Sequence, residues 1–243
     1  MSLTRLDKFI SSQLNISRKD ARTGIRRGLA SVDGAQEKDA DFKLDPESNS
    51  VIYDGQAVKY KKHIYIVMNK PAGVLSASED KKRKTVIDLV PERLLRKGLF
   101  PVGRLDRDTT GLLIITDDGD FAHRVLAPQK SIYKTYIAEL DGDITDNAPE
   151  LFLRGITLAD GTVCRSAYLK RLSDRTAEIK ICEGKYHQIK RMFGVVGLGV
   201  NSLERRAVGG LLLPDFLKPG ECVEMSEADL NLAIFDPNCS YNA

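Results

Sequence analysis

The segment Thr-Ala-Glu-Ile-Lys-Ile-Cys at 176–182 alternates polar with small or apolar residues at nearly every step. Successive side chains of a strand point to opposite faces. Such a strand covers one face and leaves the other to water, the habit of antiparallel sheets. Residues 133–140 alternate in the same way, while 64–68 and 112–116 are almost wholly apolar and read as buried strands. Helices interrupt these strands only occasionally. Ile189, Met192, Phe193 and Val196 form an apolar stripe over 186–196, and Ser226 with Asp229 caps a helix reaching about Phe235. There is no regular strand–helix–strand rhythm, which predicts an α+β domain over 61–243. It is built on a largely antiparallel mixed sheet flanked by helices.

The first 60 residues carry a different pattern. Leu3, Leu6, Phe9, Ile10 and Leu14 recur at helical spacing, and Asn15 and Ile16 break it. Ser17 caps a second helix, with Asp20 three residues on, and Gly28 stops it. Arg18, Arg22 and Arg26 are four apart on that helix and share a face with Lys19, while Ala21 and Ile25 lie toward the other side. Asp33-Gly34 and Asp54-Gly55 each follow a strand-like run and predict tight hairpins. The polar stretch 59–63 is expected to link this module to the rest.

Charge is informative in its distribution. The chain holds 37 Lys and Arg against 34 Asp and Glu, a net of +3, which does not by itself announce a nucleic-acid partner. Residues 1–27 alone hold seven basic and two acidic residues, and a clustered positive face suits phosphates. The bland alternative is a solvated helix face. The four cysteines form no C-x-x-C pair and the three histidines are scattered, so no metal site is expected. The cysteines read as reduced thiols of a cytosolic protein. No signal peptide and no bilayer-spanning apolar run is evident.

The densest group of chemistry-bearing residues is Gly103-Arg104-Leu105-Asp106-Arg107-Asp108-Thr109-Thr110-Gly111, a polar loop running into the apolar strand at 112–116. Loops held by a rigid sheet are favoured positions for reactive groups. A plain turn, with Asp and Thr satisfying local backbone donors, is the alternative. Paired carboxylates of a sugar hydrolase would also use Asp106 and Asp108, but the chain has no Trp and no evident aromatic sugar cleft.

Several motifs carry a resemblance. Gly103 to Leu113 is similar to the signature of the RsuA branch of the pseudouridine synthases. Asn69-Lys70-Pro71-x-Gly73, Lys134-Thr135-Tyr136, Glu183 through Phe193 and Glu204-Arg205-x-x-x-Gly209-Gly210 follow in that family's order. Lys185 and Ile189 are mild departures. Arg5-Leu6-Asp7-Lys8-Phe9-Ile10, Ser17-Arg18 and Val32-Asp33-Gly34 resemble an S4 RNA-binding domain over residues 1–60. The resemblance implies Asp106 as the catalytic carboxylate, Tyr136 stacking on the flipped base, and Lys190 as the cation that keeps Asp106 ionised. Arg191 is the neighbouring alternative to Lys190. It further implies RNA contacts from Arg5, Lys8, Arg18, Lys19, Arg22 and Arg26 in the first module. In the second it implies them from Arg104, Arg107, His187, Gln188 and Arg191. For Arg104, a fold-stabilising ion pair is the competing role. The expected partner is ribosomal RNA, 16S favoured over 23S, within a ribosome-assembly intermediate. The expected protein is a cytoplasmic monomer without cofactor or metal. A non-enzymatic S4-type assembly factor is the alternative from another class.

Overall fold

Local capping chemistry sets the first helices. In the computed structural model, which describes residues 3–127 and 131–235, β1 (Thr4–Arg5) leads into α1 (Leu6–Leu14), which stops at Asn15 in the left-handed region. The hydroxyl of Ser17 accepts the Asp20 amide and opens α2 (Arg18–Arg26). Leu6, Phe9 and Ile10 from α1 and Ala21 and Ile25 from α2 share one core with Val32, Leu44 and Val51. β2 (Ala30–Val32) joins β3 (Ala35–Glu37) through Asp33 and Gly34, at φ 50° and 84°. β4 (Lys43–Leu44) pairs with β1, and β5 (Val51–Tyr53) joins β6 (Gln56–Ala57) through Asp54 and Gly55, at φ 50° and 75°. Two consecutive positive φ values are what a tight primed hairpin demands. The resulting sheet has the order β3-β2-β5-β6.

The chain divides into two units. The first is Met1–Ile64 with Glu92–Leu99, and the second is Tyr65–Pro91 with Phe100–Ala243. The excursion at 92–99 is a long-range association that no local pattern announces. It opens with a 3-10 turn, Glu92–Leu94, and its Leu94 and Leu99 are buried. Arg96 donates to the Lys61 carbonyl at 3.1 Å, and the Lys61 amide donates to Gln13 Oε1 at 2.9 Å. The polar stretch around Lys61 is therefore fastened to the first unit.

The second unit contains β7 (Tyr65–Lys70), β8 (Phe100–Pro101), β9 (Thr110–Thr116), α3 (Gly119–Leu126) and β10 (Lys134–Leu140). These are followed by α4 (Ala148–Arg154), β11 (Tyr168–Arg171), β12 (Thr176–Ile181) and α5 (Gln188–Val195). β13 (Val200–Val208), β14 (Leu211–Leu212), β15 (Cys222–Glu224) and α6 (Glu227–Ile234) complete it. The sheet runs β11-β12-β10-β13-β9-β7-β15, with β14 on β13 and β8 on β9. All of these pairings are antiparallel except β9 with β13. The predicted α+β class and mixed, largely antiparallel sheet are both found. β12 alternates as expected, with Ala177, Ile179 and Ile181 buried. β9 is covered on both faces: Leu112 and Ile114 pack with Phe121, Val125 and Ala233, and Leu113 and Ile115 are buried as well.

The parallel pair explains one glycine. A Cβ on Gly111 would lie 2.3 Å from the Arg205 carbonyl oxygen, and its φ is 97°. Only Gly lets β9 approach β13 so closely in that conformation. Register then aligns three strands: Gly111 of β9 opposite Arg205 of β13, and Arg205 opposite Tyr136 of β10. The loop that empties into β9 is thereby brought to the same end of the sheet as Tyr136.

Candidate active site

The loop before β9 is braced from below by the residues following β7. Ser76 Oγ donates to the Leu105 carbonyl at 2.9 Å and accepts the Leu105 amide at 3.1 Å. The Gly73 amide donates to the Arg107 carbonyl, and Arg107 Nε returns a bond to the Gly73 carbonyl. Lys70, fully buried, donates to the carbonyls of Pro71, Arg107 and Thr109 at 3.0, 3.3 and 2.9 Å. Burial pulls its ammonium down to about 8, against the opposing pull of Asp108 and Asp106. Lys70 was visible in the sequence only as part of a motif. Its two bonds to the loop, at Arg107 and Thr109, make it the principal residue that pattern reading missed, and a charged residue ending an apolar strand was the available signal.

Asp106 stands on this braced loop, in an open cleft it shares with Arg104, Leu105, Thr109, Tyr136, His187 and Lys190. Its side chain is 29% exposed, so a ligand has access to it. Oδ2 lies 3.9 Å from Lys190 Nζ, and Oδ1 lies 3.6 Å from His187 Nε2. Lys190 is closer to Asp108, at 2.6 Å from both carboxylate oxygens. The hydrogen bond from Lys190 holds the Asp108 carboxyl below its ordinary range. The cation expected to serve Asp106 alone thus sits between two carboxylates and bonds directly to the outer one. The resemblance named Lys190 but could not reveal the competing partner.

The turn at 183–188 presents the remaining groups. Gln188 is buried, its amide donating to Glu183 Oε1 at 2.7 Å while its oxygen accepts the Lys185 amide. Its polar atoms are thus engaged in holding the turn. His187 takes the left-handed region (φ 47°), and Tyr186, 76% exposed, stacks on its ring at 3.9 Å between centroids. Tyr136 is buried to 8% exposure and lines the cleft. Arg104 is exposed at the rim and makes no ion pair among the described residues, so the ion-pair alternative does not hold. Arg107 points to Gly73, and Arg191 pairs with Asp160 at 2.5 Å, so neither lines the cleft. Thr109 Oγ1, buried in the same cleft, has no partner among the described residues.

In the first unit, the stripe on α2 is organised by an acid. Asp7 is completely buried and accepts hydrogen bonds from Arg5, Arg18 and Arg22 at 2.8–3.2 Å. Burial raises its carboxyl, but the three guanidiniums outweigh that and hold it at about 2. Asp41 joins Arg5 and Arg22. Arg5, Arg18, Lys19, Arg22 and Arg26 line one open surface. Lys8 lies outside it, beside Arg18 on a neighbouring groove.

Among the described residues no three of His, Cys, Asp and Glu gather as a metal site. Cys164, Cys182 and Cys222 are buried and unbridged, and Cys239 lies outside the described residues. No described helix is long and apolar enough to cross a membrane.

An open carboxylate on a sheet-borne loop, faced by an aromatic ring and a lysine, agrees with what comparison with known proteins finds. The family model described as RNA pseudouridylate synthase matches residues 64–194, and the chain belongs to that family: it is an RNA pseudouridine synthase, an isomerase. Among its relatives, ribosomal small subunit pseudouridine synthase A of Escherichia coli (strain K12) is 38% identical. That alignment covers 93% of this chain and 98% of the relative. The uncharacterized RNA pseudouridine synthase YtzG of Bacillus subtilis (strain 168) is also 38% identical, covering 94% and 97%. A solved structure described as a crystal structure of pseudouridylate synthase matches with a TM-score of 0.67 and 29% identity. It covers 94% of this chain and 99% of that one.

Proposed function

We propose that this protein converts a specific uridine of 16S ribosomal RNA to pseudouridine, with Asp106 as the catalytic carboxylate. The similarity to the small-subunit enzyme over nearly both whole chains supports the choice of RNA. The observation that carries the site assignment is the position of Asp106, half-buried in an open cleft it shares with Tyr136 and Lys190.

The reaction breaks the N1–C1′ bond, turns the base and forms a C5–C1′ bond, after which C5 loses its hydrogen and N1 gains one. It is balanced without any oxidant or reductant. A carboxylate serves it as nucleophile or as base. Lys190 Nζ lies 3.9 Å from the Asp106 carboxylate, and the Lys70 and Ser76 contacts fix the loop that carries it. The target base must leave its stack, at a cost of a few kcal/mol. Stacking on Tyr136 returns about 1–3 kcal/mol of this. Exposed at the rim, Arg104 is placed to hold a neighbouring phosphate. Tyr186 and His187 offer a second stacked surface there.

Residues 1–60 act as an S4-like RNA-binding module and 61–243 as the catalytic domain. In the module Asp7 pre-arranges Arg5, Arg18 and Arg22 for phosphates, and Lys8, Lys19 and Arg26 extend the surface. The protein works as a cytoplasmic monomer on an assembly intermediate, without cofactor. Tritium release from 5-labelled uridine in 16S rRNA tests the reading. Asp106→Asn should abolish release, by at least about 10⁴-fold, while RNA affinity stays within about twofold, since only transition-state interactions are lost. Residual release above that removes Asp106 from its role, and release from 23S but not 16S rRNA redirects the substrate.

A further inference from the structure

The excursion at 92–99 gives the first unit a groove that the S4-like pattern does not account for. One wall comes from the helical pair and carries Lys8, Ser12, Asn15 and Arg18. The other comes from residues about eighty positions further along the chain and carries Arg96 and Lys97. Among the described residues lining it there are four cations and no carboxylate. Arg18, shared with the neighbouring arginine surface, is partly offset by Asp7, whose own pairs otherwise lie on that surface.

The far wall is built, not merely apposed. Leu94 and Leu99 are buried on either side of it, and the Arg96 guanidinium is oriented by its bond to the Lys61 carbonyl. Lys8, Arg18 and Lys97 are exposed and Arg96 is half-buried. Positive groups brought together on one concavity repel one another, even with Arg18 partly offset by Asp7, and an anion bound between them relieves that repulsion. The hydroxyl of Ser12 and the amide of Asn15 add neutral hydrogen-bonding groups of the kind that accompany lysine and arginine at a sugar–phosphate backbone. Arg18 lines both this groove and the arginine surface, so the two form one positive track.

We propose that this groove is a second phosphate-binding site for the RNA, with Arg96 and Lys97 clamping the backbone from the far wall. The inference rests on the RNA-modifying function proposed above. It adds a pair of contacts made by a segment lying between the catalytic motifs in sequence.

The test is the salt dependence of binding of the full chain to a dye-labelled 16S rRNA fragment, read by fluorescence anisotropy. Each phosphate contact adds roughly 0.7–0.9 to the slope of log K against log [KCl]. R96Q/K97Q should therefore lower the magnitude of the slope by about 1.4–1.8 and weaken binding about tenfold near 0.1 M salt. K8Q/K97Q, which takes one charge from each wall, should do the same. K170Q/K218Q, which removes two exposed lysines of the second unit, should leave the slope unchanged. Circular dichroism establishes that each variant is folded. A wild-type slope in both groove variants, or an equal fall in K170Q/K218Q, overturns the inference while RNA binding and tritium release by the unmodified protein leave the functional reading standing. If the unmodified protein neither binds rRNA nor releases tritium, the functional reading fails and takes this inference with it.

Discussion

Replacing Asp7 with Asn removes the one buried charge around which Arg5, Arg18 and Arg22 are arranged. The carboxyl falls from 3.8 to about 2 on folding, a difference equivalent to about 2.4 kcal/mol at neutral pH. The partner side chains are 36, 54 and 40% exposed for Arg5, Arg18 and Arg22. Solvent screening there trims the figure to about 1–2 kcal/mol. Asn then leaves Arg18 without a counter-charge and Arg5 and Arg22 with Asp41 alone, so Asp7→Asn should cost about 2 kcal/mol at pH 7. The folded carboxyl is depressed, so its contribution is fully present above the unfolded value of 3.8 and is lost as pH falls through about 2. At pH 3 roughly half of it should remain. Urea unfolding of the full chain, followed by circular dichroism with hydrogen exchange to locate the first unit's transition, measures both quantities. A loss of about 2 kcal/mol lowers the midpoint by about 1 M. Equal midpoints at pH 7, or a gap between the two proteins that is no smaller at pH 3, would refute Asp7 as the electrostatic hub.

Lys70→Met keeps volume but deletes three hydrogen bonds, two of them to the loop around Asp106. Tritium release should drop at least about 100-fold, a loss of loop geometry, with about 1–3 kcal/mol of stability lost. The unfolded chain holds this proton to 10.5 and the folded chain to about 8. Between those values the unfolded state binds more protons, so stability rises with pH while turnover falls as the buried ammonium discharges. A turnover profile flat from pH 7 to 9.5 contradicts the brace. Lys190→Met removes the hydrogen bond that depresses Asp108, so the Asp108 carboxyl, followed by NMR, should titrate at higher pH; an unmoved titration separates Lys190 from Asp108. Gly111→Ala must open β9 from β13 against a contact of 2.3 Å, at about 3 kcal/mol or more; thermal unfolding at the wild-type temperature would show the approach to be looser than described.

Much of the architecture was written locally. The hairpins at Asp33-Gly34 and Asp54-Gly55, the Ser17 and Ser226 caps and the alternation of β12 all lie within a few residues of their cause. Asp106, Tyr136 and Lys190 came from motif order; β-register brings the loop of Asp106 to the same end of the sheet as Tyr136, while Lys190 reaches it from α5. Other partnerships were not legible. Lys190 reads as the counter-charge of Asp106, yet bonds Asp108. Gln188 reads as an RNA contact, yet its amide ties Glu183 to the turn.

By itself the sequence determined the strands within 64–68, 112–116, 133–140 and 176–182, the helices opened by Ser17 and Ser226, and the apolar side of β12. Those properties follow from side-chain period and backbone preference within a single turn or strand. Tertiary structure decided the burial of Lys70 beneath that loop, the gathering of three arginines on Asp7, and the placing of 92–99 against the first unit. A periodic pattern records that a face will be covered. What covers it, and which charge meets which, depends on residues brought together from distant parts of the chain, where desolvation and close approach choose among several chemically equivalent partners.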